Sequence, residues 1–287
     1  MQARQARLLA TSLGILACSA RFAGALSLPS ASASSNCVFL SRFSGIDPSR
    51  LRQAMDSTLR PARPLSPQSR LCYVPTASYV LSTTSGKPRG EQRRRMRYEA
   101  KAKSALIAEG LDINSEGKPT VLELDAPNLT ADDIHASLSD ADVVYVEGGN
   151  TFYLQFCMLK TSFWSIADPL LQTQKLTYVG ASAGAIVAGA SIETAFWKGW
   201  DVPIAPSMGM DGWEWSPATL RGRGYVNCSL FMHFDEQFAA LVREKKRPDA
   251  PVVCIRDSAA VLVPSLPGSE PVELRGDGTL SPISFFT

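Results

Sequence analysis

Residues 177–190 read Thr177-Tyr178-Val179-Gly180-Ala181-Ser182-Ala183-Gly184-Ala185-Ile186-Val187-Ala188-Gly189-Ala190. An apolar, β-branched run passes through glycine, serine and glycine and continues directly into small residues with helical spacing. The first part predicts a buried strand over 176–180 and the second a helix over 183–190. A serine on the sharp turn between them needs neighbours without bulk, which Gly180 and Gly184 supply in a G-x-S-x-G pattern. Such a turn leaves Ser182 at a helix N-terminus, where backbone N–H groups and the helix dipole favour developing negative charge. Ser182 is therefore the candidate nucleophile; the plainer reading is a tight packing turn that happens to hold a serine.

Working outward, the same rhythm of strand then helix recurs along the chain. Apolar runs at 37–41, 71–76, 120–124, 143–147, 225–234 and 252–255 predict further strands, several apolar on both alternating faces, as strands covered by helices on each side must be. Helical patterns fall at 49–59, 91–111, 131–138, 151–159, 163–174 and 236–246. This alternation predicts an α/β fold with a largely parallel sheet and right-handed crossovers. Residues 260–264 and 271–274 predict a terminal hairpin, and the Pro-rich stretch 61–70 a surface loop within one domain. In the basic run 86–103 the spacing predicts an inward stripe of Met96, Tyr98, Ala102 and Leu106 with the arginines facing solvent. That makes it a solvated helix face, with Lys87 or Arg89 a lesser candidate to reach an acidic substrate.

The 287 residues carry 29 Lys and Arg against 27 Asp and Glu. Four of the arginines (Arg4, Arg7, Arg21, Arg42) and none of the acids lie in 1–46, so the rest of the chain has 25 basic against 27 acidic residues, a net charge of −2. That balance argues against a nucleic-acid partner, and no stretch approaches the roughly 18 apolar residues that span a bilayer. Residues 1–36, with two arginines before an apolar run at 8–20 and then small residues and serines, have the composition of a targeting leader or a disordered tail. The expected address is a plastid, a mitochondrion or the secretory route, and otherwise the cytoplasm; a single domain is expected over 37–287. The sequons at Asn128 and Asn227 matter only on the secretory route, and a place for Asn227 inside a strand leans against it. The six cysteines show no metal or disulfide spacing and read as small buried thiols. No metal and no cofactor is expected.

A serine hydroxyl needs a base at neutral pH, and the chain has two histidines, His135 and His233. His135 sits in a polar helical pattern and reads as an exposed helix residue. His233 follows the apolar run YVNCSLFM and falls at the end of a strand, where a base could meet the nucleophile turn. The acid that orients it has three candidates. Asp201, on the loop after the nucleophile helix, ranks first, Glu193 is the alternative, and Asp235 ranks last because it is too near His233 in sequence. Val146-Glu147-Gly148-Gly149-Asn150-Thr151 is a second strand running through glycines into a helix. The N–H of Gly149 could share an oxyanion with that of Ala183. Trp197, Trp200, Trp213 and Trp215 cluster around Asp201 as packing residues or pocket walls.

The motifs EGGNTFYL, YVGASAGAIVAG, WDVPI and MHF together resemble peptidase family S51, the serine peptidases that include dipeptidase E and cyanophycinase. The resemblance runs over about 37–256 and is sharp at these motifs. It implies a class I glutamine amidotransferase-like (flavodoxin-like) three-layer sandwich and hydrolysis of short peptides, notably dipeptides with an N-terminal aspartate. By that likeness Ser182 is the nucleophile, His233 the base, Asp201 the acid, and Gly149 and Ala183 the oxyanion donors. The GGNTF form is closer to the dipeptidase branch than to cyanophycinase, whereas WKGW before Asp201 departs from the expected polar turn. Asn150, Arg221 and Arg223 are candidate substrate contacts. The small peptide is the one partner expected, and the oligomeric state is left open. An esterase of the α/β-hydrolase kind shares the order of serine, acid and histidine but needs an HGGG-type loop, which is absent. A catalytically inactive binding protein is the non-enzyme alternative.

Overall fold

The computed structural model describes residues 35–80, 89–115, 117–265 and 268–286. The leader expected at 1–36 thus lies almost wholly outside the described residues, as do Cys18 and Lys87.

Ten strands are present among the described residues. β1 (Cys37–Leu40), β2 (Leu71–Val74), β3 (Thr120–Val121), β4 (Val143–Val146) and β5 (Thr177–Ala181) form the parallel part of an eight-stranded sheet, in the order β1-β5-β4-β2-β3. β8 (Ala260–Val263) runs antiparallel to β1 and pairs with β9 (Val272–Leu274) in the expected hairpin, and β10 (Leu280–Pro282) extends that edge. β6 (Ser229–Phe231) and β7 (Val252–Cys254) leave the main sheet and make a separate parallel pair. The α-helices among the described residues are α1 (Pro48–Thr58), α2 (Arg89–Gly110), α3 (Ala131–Ser139), α4 (Thr151–Lys160), α5 (Phe163–Gln172), α6 (Ala183–Ile186), α7 (Thr194–Trp197) and α8 (Ala239–Lys245).

The strands that read as apolar on both faces are buried on both. Cys37, Phe39, Val144, Val146 and Tyr178 pack into a core on one side of the sheet, and Val38, Leu40, Val143, Tyr145 and Val179 into a core on the other. Period-two alternation thus delivers one side chain to each layer in turn. The fold is a mostly parallel sheet between helices, as the sequence pattern predicts.

Three readings change. In α2 the buried positions are Gln92, Met96, Ala100, Ser104, Ile107 and Ala108, whereas Ala102 is exposed and Tyr98 and Leu106 are 68% and 64% exposed. Small side chains at a four-residue spacing let the helix sit close to the sheet, so the stripe is set by Ala and Ser rather than by the largest apolar residues. The strand expected over 225–234 shrinks to β6, and the helix expected over 183–190 to α6, for one shared reason. The carbonyls of Val187, Ala188 and Gly189 accept from the N–H groups of Arg223, Tyr225 and Gly224 (2.8, 3.0 and 2.9 Å), which ends the helix and diverts the strand. Asn227 therefore lies exposed before β6, which removes the packing objection to its sequon.

Candidate active site

The two glycines around Ser182 are there because backbone passes where a Cβ would be. A methyl on Gly184 would stand 2.2 Å from the Val146 carbonyl oxygen, and one on Gly180 2.5 Å from that of Gly184. Strand, turn and neighbouring strand are thus in direct backbone contact, and Tyr178 locks the turn by donating its hydroxyl to the Gly184 carbonyl at 2.6 Å. Ser182 itself has φ 47° and ψ −108°, a conformation that costs a side-chain-bearing residue roughly 1–3 kcal/mol and persists only where its surroundings enforce it. α6 has only four residues, so its dipole is smaller than the sequence reading implied. Its first N–H groups, Ala183 included, still have no partner within the helix.

Three parallel strand ends, those of β1, β4 and β5, converge here. β1 ends at Leu40 opposite Ala181, and β4 ends at Val146 opposite Gly180. The smaller sheet is sewn to the same edge by Ser41, whose hydroxyl donates to the Ile255 carbonyl (2.9 Å) and accepts from the His233 N–H (2.8 Å). His233, at the end of β6, has φ 53°, and its Nε2 lies 2.9 Å from Ser182 Oγ. Its Nδ1 lies 2.6 Å from Oδ1 of Asp257, on the turn that follows β7. Asp257 is paired on its other oxygen with Arg42 at 2.6 Å.

The carboxylate at the His233 ring is thus none of the three the sequence offered. Asp201 does not meet His233: its Oδ2 accepts the Thr151 N–H at 2.9 Å, at the start of α4. Burial raises its pKa, partly offset by that hydrogen bond and by His233. Glu193 precedes α7 and its nearest cation is Arg247 at 3.9 Å, and Asp235 caps the turn at Glu236–Phe238. Sequence reasoning missed Asp257, although a signal was present. β6 and β7 are adjacent and parallel, so Asp257 just after one strand and His233 just after the other come out at the same edge.

Ser182, His233, Asp201, Gly148 and Gly149 line one cavity of about 610 Å3 together with Arg42, Lys103, Glu147, Lys198, Trp200 and Phe231. Gly149 has φ 146°, and a Cβ there would stand 2.2 Å from the Ala77 carbonyl oxygen. The three expected substrate contacts are not among the residues lining it. Asn150 is buried, caps α4 and donates to the Val202 carbonyl at 2.9 Å. Arg223 is buried against Asp168, which also accepts from the Tyr225 hydroxyl at 2.6 Å, and Arg221 presents its carbonyl to Gln155 at 2.9 Å. Of the tryptophans, Trp197, Trp213 and Trp215 pack against the cores while Trp200 is 59% exposed at the cavity. His135 is exposed on α3.

Burial lowers the pKa of His233, the hydrogen bond and charge of Asp257 raise it, and Lys198 and Arg42 lower it again. The net direction is downward, so the imidazole is neutral and able to accept a proton at pH 7. Among the described residues no cluster of three or more His, Cys, Asp or Glu could hold a metal ion, and no helix is long and apolar enough to cross a membrane. Cys37, Cys72, Cys157 and Cys228 are buried, and burial pushes the Cys72 thiol up to about 12.

Residues 53–265 match the family profile described as Peptidase family S51. Peptidase E of Shewanella sp. (strain W3-18-1) is 32% identical over 127 residues, 44% of this chain and 51% of that protein. An uncharacterized peptidase of Listeria innocua serovar 6a is 36% identical over 120 residues, 42% of this chain and 47% of that protein. The chain thus spans about half the length of the curated relatives it matches. A Peptidase E-type structure from Listeria monocytogenes EGD-e superposes with a TM-score of 0.56 at 20% identity, covering 84% of this chain and 98% of that one. That likeness is one of fold, the class I glutamine amidotransferase-like fold.

Proposed function

The chain belongs to peptidase family S51, and on that premise we propose that it is a serine-type peptidase that hydrolyses short peptides through Ser182, His233 and Asp257. The observation that carries the reading is the unbroken line from Ser182 Oγ to His233 Nε2 (2.9 Å) and from His233 Nδ1 to Asp257 Oδ1 (2.6 Å). Asp257 holds the proton on Nδ1, which leaves Nε2 as the acceptor. Nε2 takes the Ser182 proton as Oγ attacks the peptide carbonyl. The tetrahedral oxyanion is received by the N–H groups of Gly149 and Ala183. The imidazolium then protonates the leaving amine, the C–N bond breaks, and an acyl-enzyme remains. Water, deprotonated by the same imidazole, releases the acid product and restores Ser182.

Dipeptides with an N-terminal aspartate are the proposed substrates, after the dipeptidase branch that the motifs resemble. The cavity volume of about 610 Å3 lies in the ordinary range for small-ligand sites, and the basic side chains of Arg42 and Lys103 line it. The test uses the full-length protein with a panel of Asp-X and X-Asp dipeptides, a cyanophycin fragment and a p-nitrophenyl ester, comparing wild type with Ser182→Ala. Loss of turnover by about 10⁴ or more in Ser182→Ala, with its Tm close to wild type, is the expected result. Near-native dipeptide hydrolysis by Ser182→Ala would sink the mechanism, and cleavage of the ester alone would make the chain an esterase.

A further inference from the structure

Lys198 carries a charge that the catalytic line does not use. It stands in Trp197-Lys198-Gly199-Trp200, the segment that departs from the expected polar turn. Its Nζ lies 4.3, 4.4 and 4.1 Å from the ring centroids of Trp200, Phe231 and Phe238. The same ammonium donates to the carbonyls of Met232 (2.7 Å) and His233 (2.9 Å), and it forms no ion pair with a carboxylate among the described residues. Removing an ammonium from water is costly unless other groups replace the solvent. Here three aromatic faces and two carbonyls do so in part: burial still lowers the Lys198 pKa to about 8, so the ammonium is held charged at pH 7 and is lost at moderately alkaline pH.

What those carbonyls belong to gives the arrangement its meaning. His233 is left-handed, at φ 53°, and its peptide groups are held on every side. The His233 N–H donates to Ser41 at 2.8 Å, the Phe234 N–H donates to the Ile255 carbonyl at 2.9 Å, and the carbonyls on both sides of the His233 Cα go to Lys198. Release of those two carbonyls would let the peptide planes rotate toward ordinary geometry and carry the imidazole away from Ser182. We propose that Lys198 is a positioning residue of the catalytic site, its caged ammonium clamping the Met232 and His233 carbonyls so that the left-handed turn holds Nε2 against Ser182.

The same charge acts on the base through space. The charged groups that face His233 are Asp257 at Nδ1, Arg42 paired with Asp257, Asp201 across the cavity, and Lys198 beneath the backbone. Asp257 favours the imidazolium, whereas Lys198 and Arg42 oppose it. Removal of the Lys198 charge therefore raises the pH at which His233 becomes free to act as a base. A residue that only fills space would leave that pH unmoved.

The inference rests on the serine-peptidase reading, and the test separates the two. Full-length wild type, Ser182→Ala, Lys198→Met and Lys198→Arg are compared in the rate of fluorophosphonate labelling of Ser182 against pH, with kcat and KM on a cleaved dipeptide and Tm alongside. The expected result for Lys198→Met is a loss of about 30-fold or more in labelling and kcat, KM within about twofold of wild type, and an acid limb moved to higher pH. Lys198→Arg, which keeps charge and donors, recovers much of the rate and the wild-type acid limb. If Lys198→Met does not fold, Lys198→Gln, which keeps a donor without the charge, is expected to lose less rate and still show the moved limb. Wild-type kcat and an unmoved limb in the uncharged variant, or a defect confined to KM, overturns the positioning role. A wild type that never labels at Ser182 overturns the serine reading and this role together.

Discussion

Exchange of Asp257 for Asn tests the assembled site at the point where sequence and structure part. The amide keeps the shape of the carboxylate but removes its charge, and it can turn its NH2 toward Nδ1, which would leave the remaining proton on Nε2, facing Ser182 the wrong way. A unit charge about 4 Å from the imidazolium at an effective dielectric of about 20 is worth about 4 kcal/mol, or about three orders of magnitude in rate. The Asp257 side chain is 43% exposed and shares its charge with Arg42, so solvent and guanidinium take up part of that. We expect kcat/KM to fall by about 10² to 10³. Asp201→Asn keeps an oxygen to accept the Thr151 N–H and should stay within about tenfold of wild type. Steady-state kinetics on a cleaved dipeptide, with fluorophosphonate labelling as an independent readout, measures both. Near-native activity in Asp257→Asn beside a collapse in Asp201→Asn would refute the assignment and return the role to Asp201.

The lowered pKa of His233 predicts that kcat/KM falls only as pH drops through a value under about 6.5, the ordinary histidine value. In Asp257→Asn, which loses the group that raises it, that limb should move further down. The sign for stability is the same. The folded chain resists protonation of His233, so its contribution is present above about pH 6.5 and is lost as pH falls below it, readable as a falling Tm in Ser182→Ala, where turnover plays no part. Gly149→Ala places a methyl against the Ala77 carbonyl at a φ of 146° and should cost about 2 kcal/mol or more, seen as a Tm lower by about 4 °C or more. Asp168→Ala strands the buried guanidinium of Arg223 and the Tyr225 hydroxyl, for an expected loss of about 3–5 kcal/mol in denaturant unfolding with little direct effect on Ser182 chemistry.

Read alone, the sequence determined what is local. The strand, turn and helix around Ser182 were legible because backbone contact there demands small residues at fixed offsets, and those offsets are written in consecutive positions. His233 was legible because an apolar run ended on it and the only other histidine lay in a polar helix. The burial of both faces of β1, β4 and β5 was legible from period two. The inward stripe of α2 was not, since its burial follows from how closely the helix approaches the sheet, which Ala100 and Ser104 permit and the larger Tyr98 and Leu106 do not. Above all, which carboxylate meets the His233 ring was decided by tertiary structure. Asp257 lies 24 residues beyond His233, and nothing in that spacing binds them. The parallel register of β6 and β7 brings their ends to one edge, and Ser41 ties that edge to the nucleophile turn. Asp201, nearer to Ser182 along the chain, is instead drawn to the first turn of α4, whose free N–H groups attract a carboxylate. Chain proximity and spatial proximity are different quantities in a parallel sheet, because each crossover returns the chain to the edge it started from.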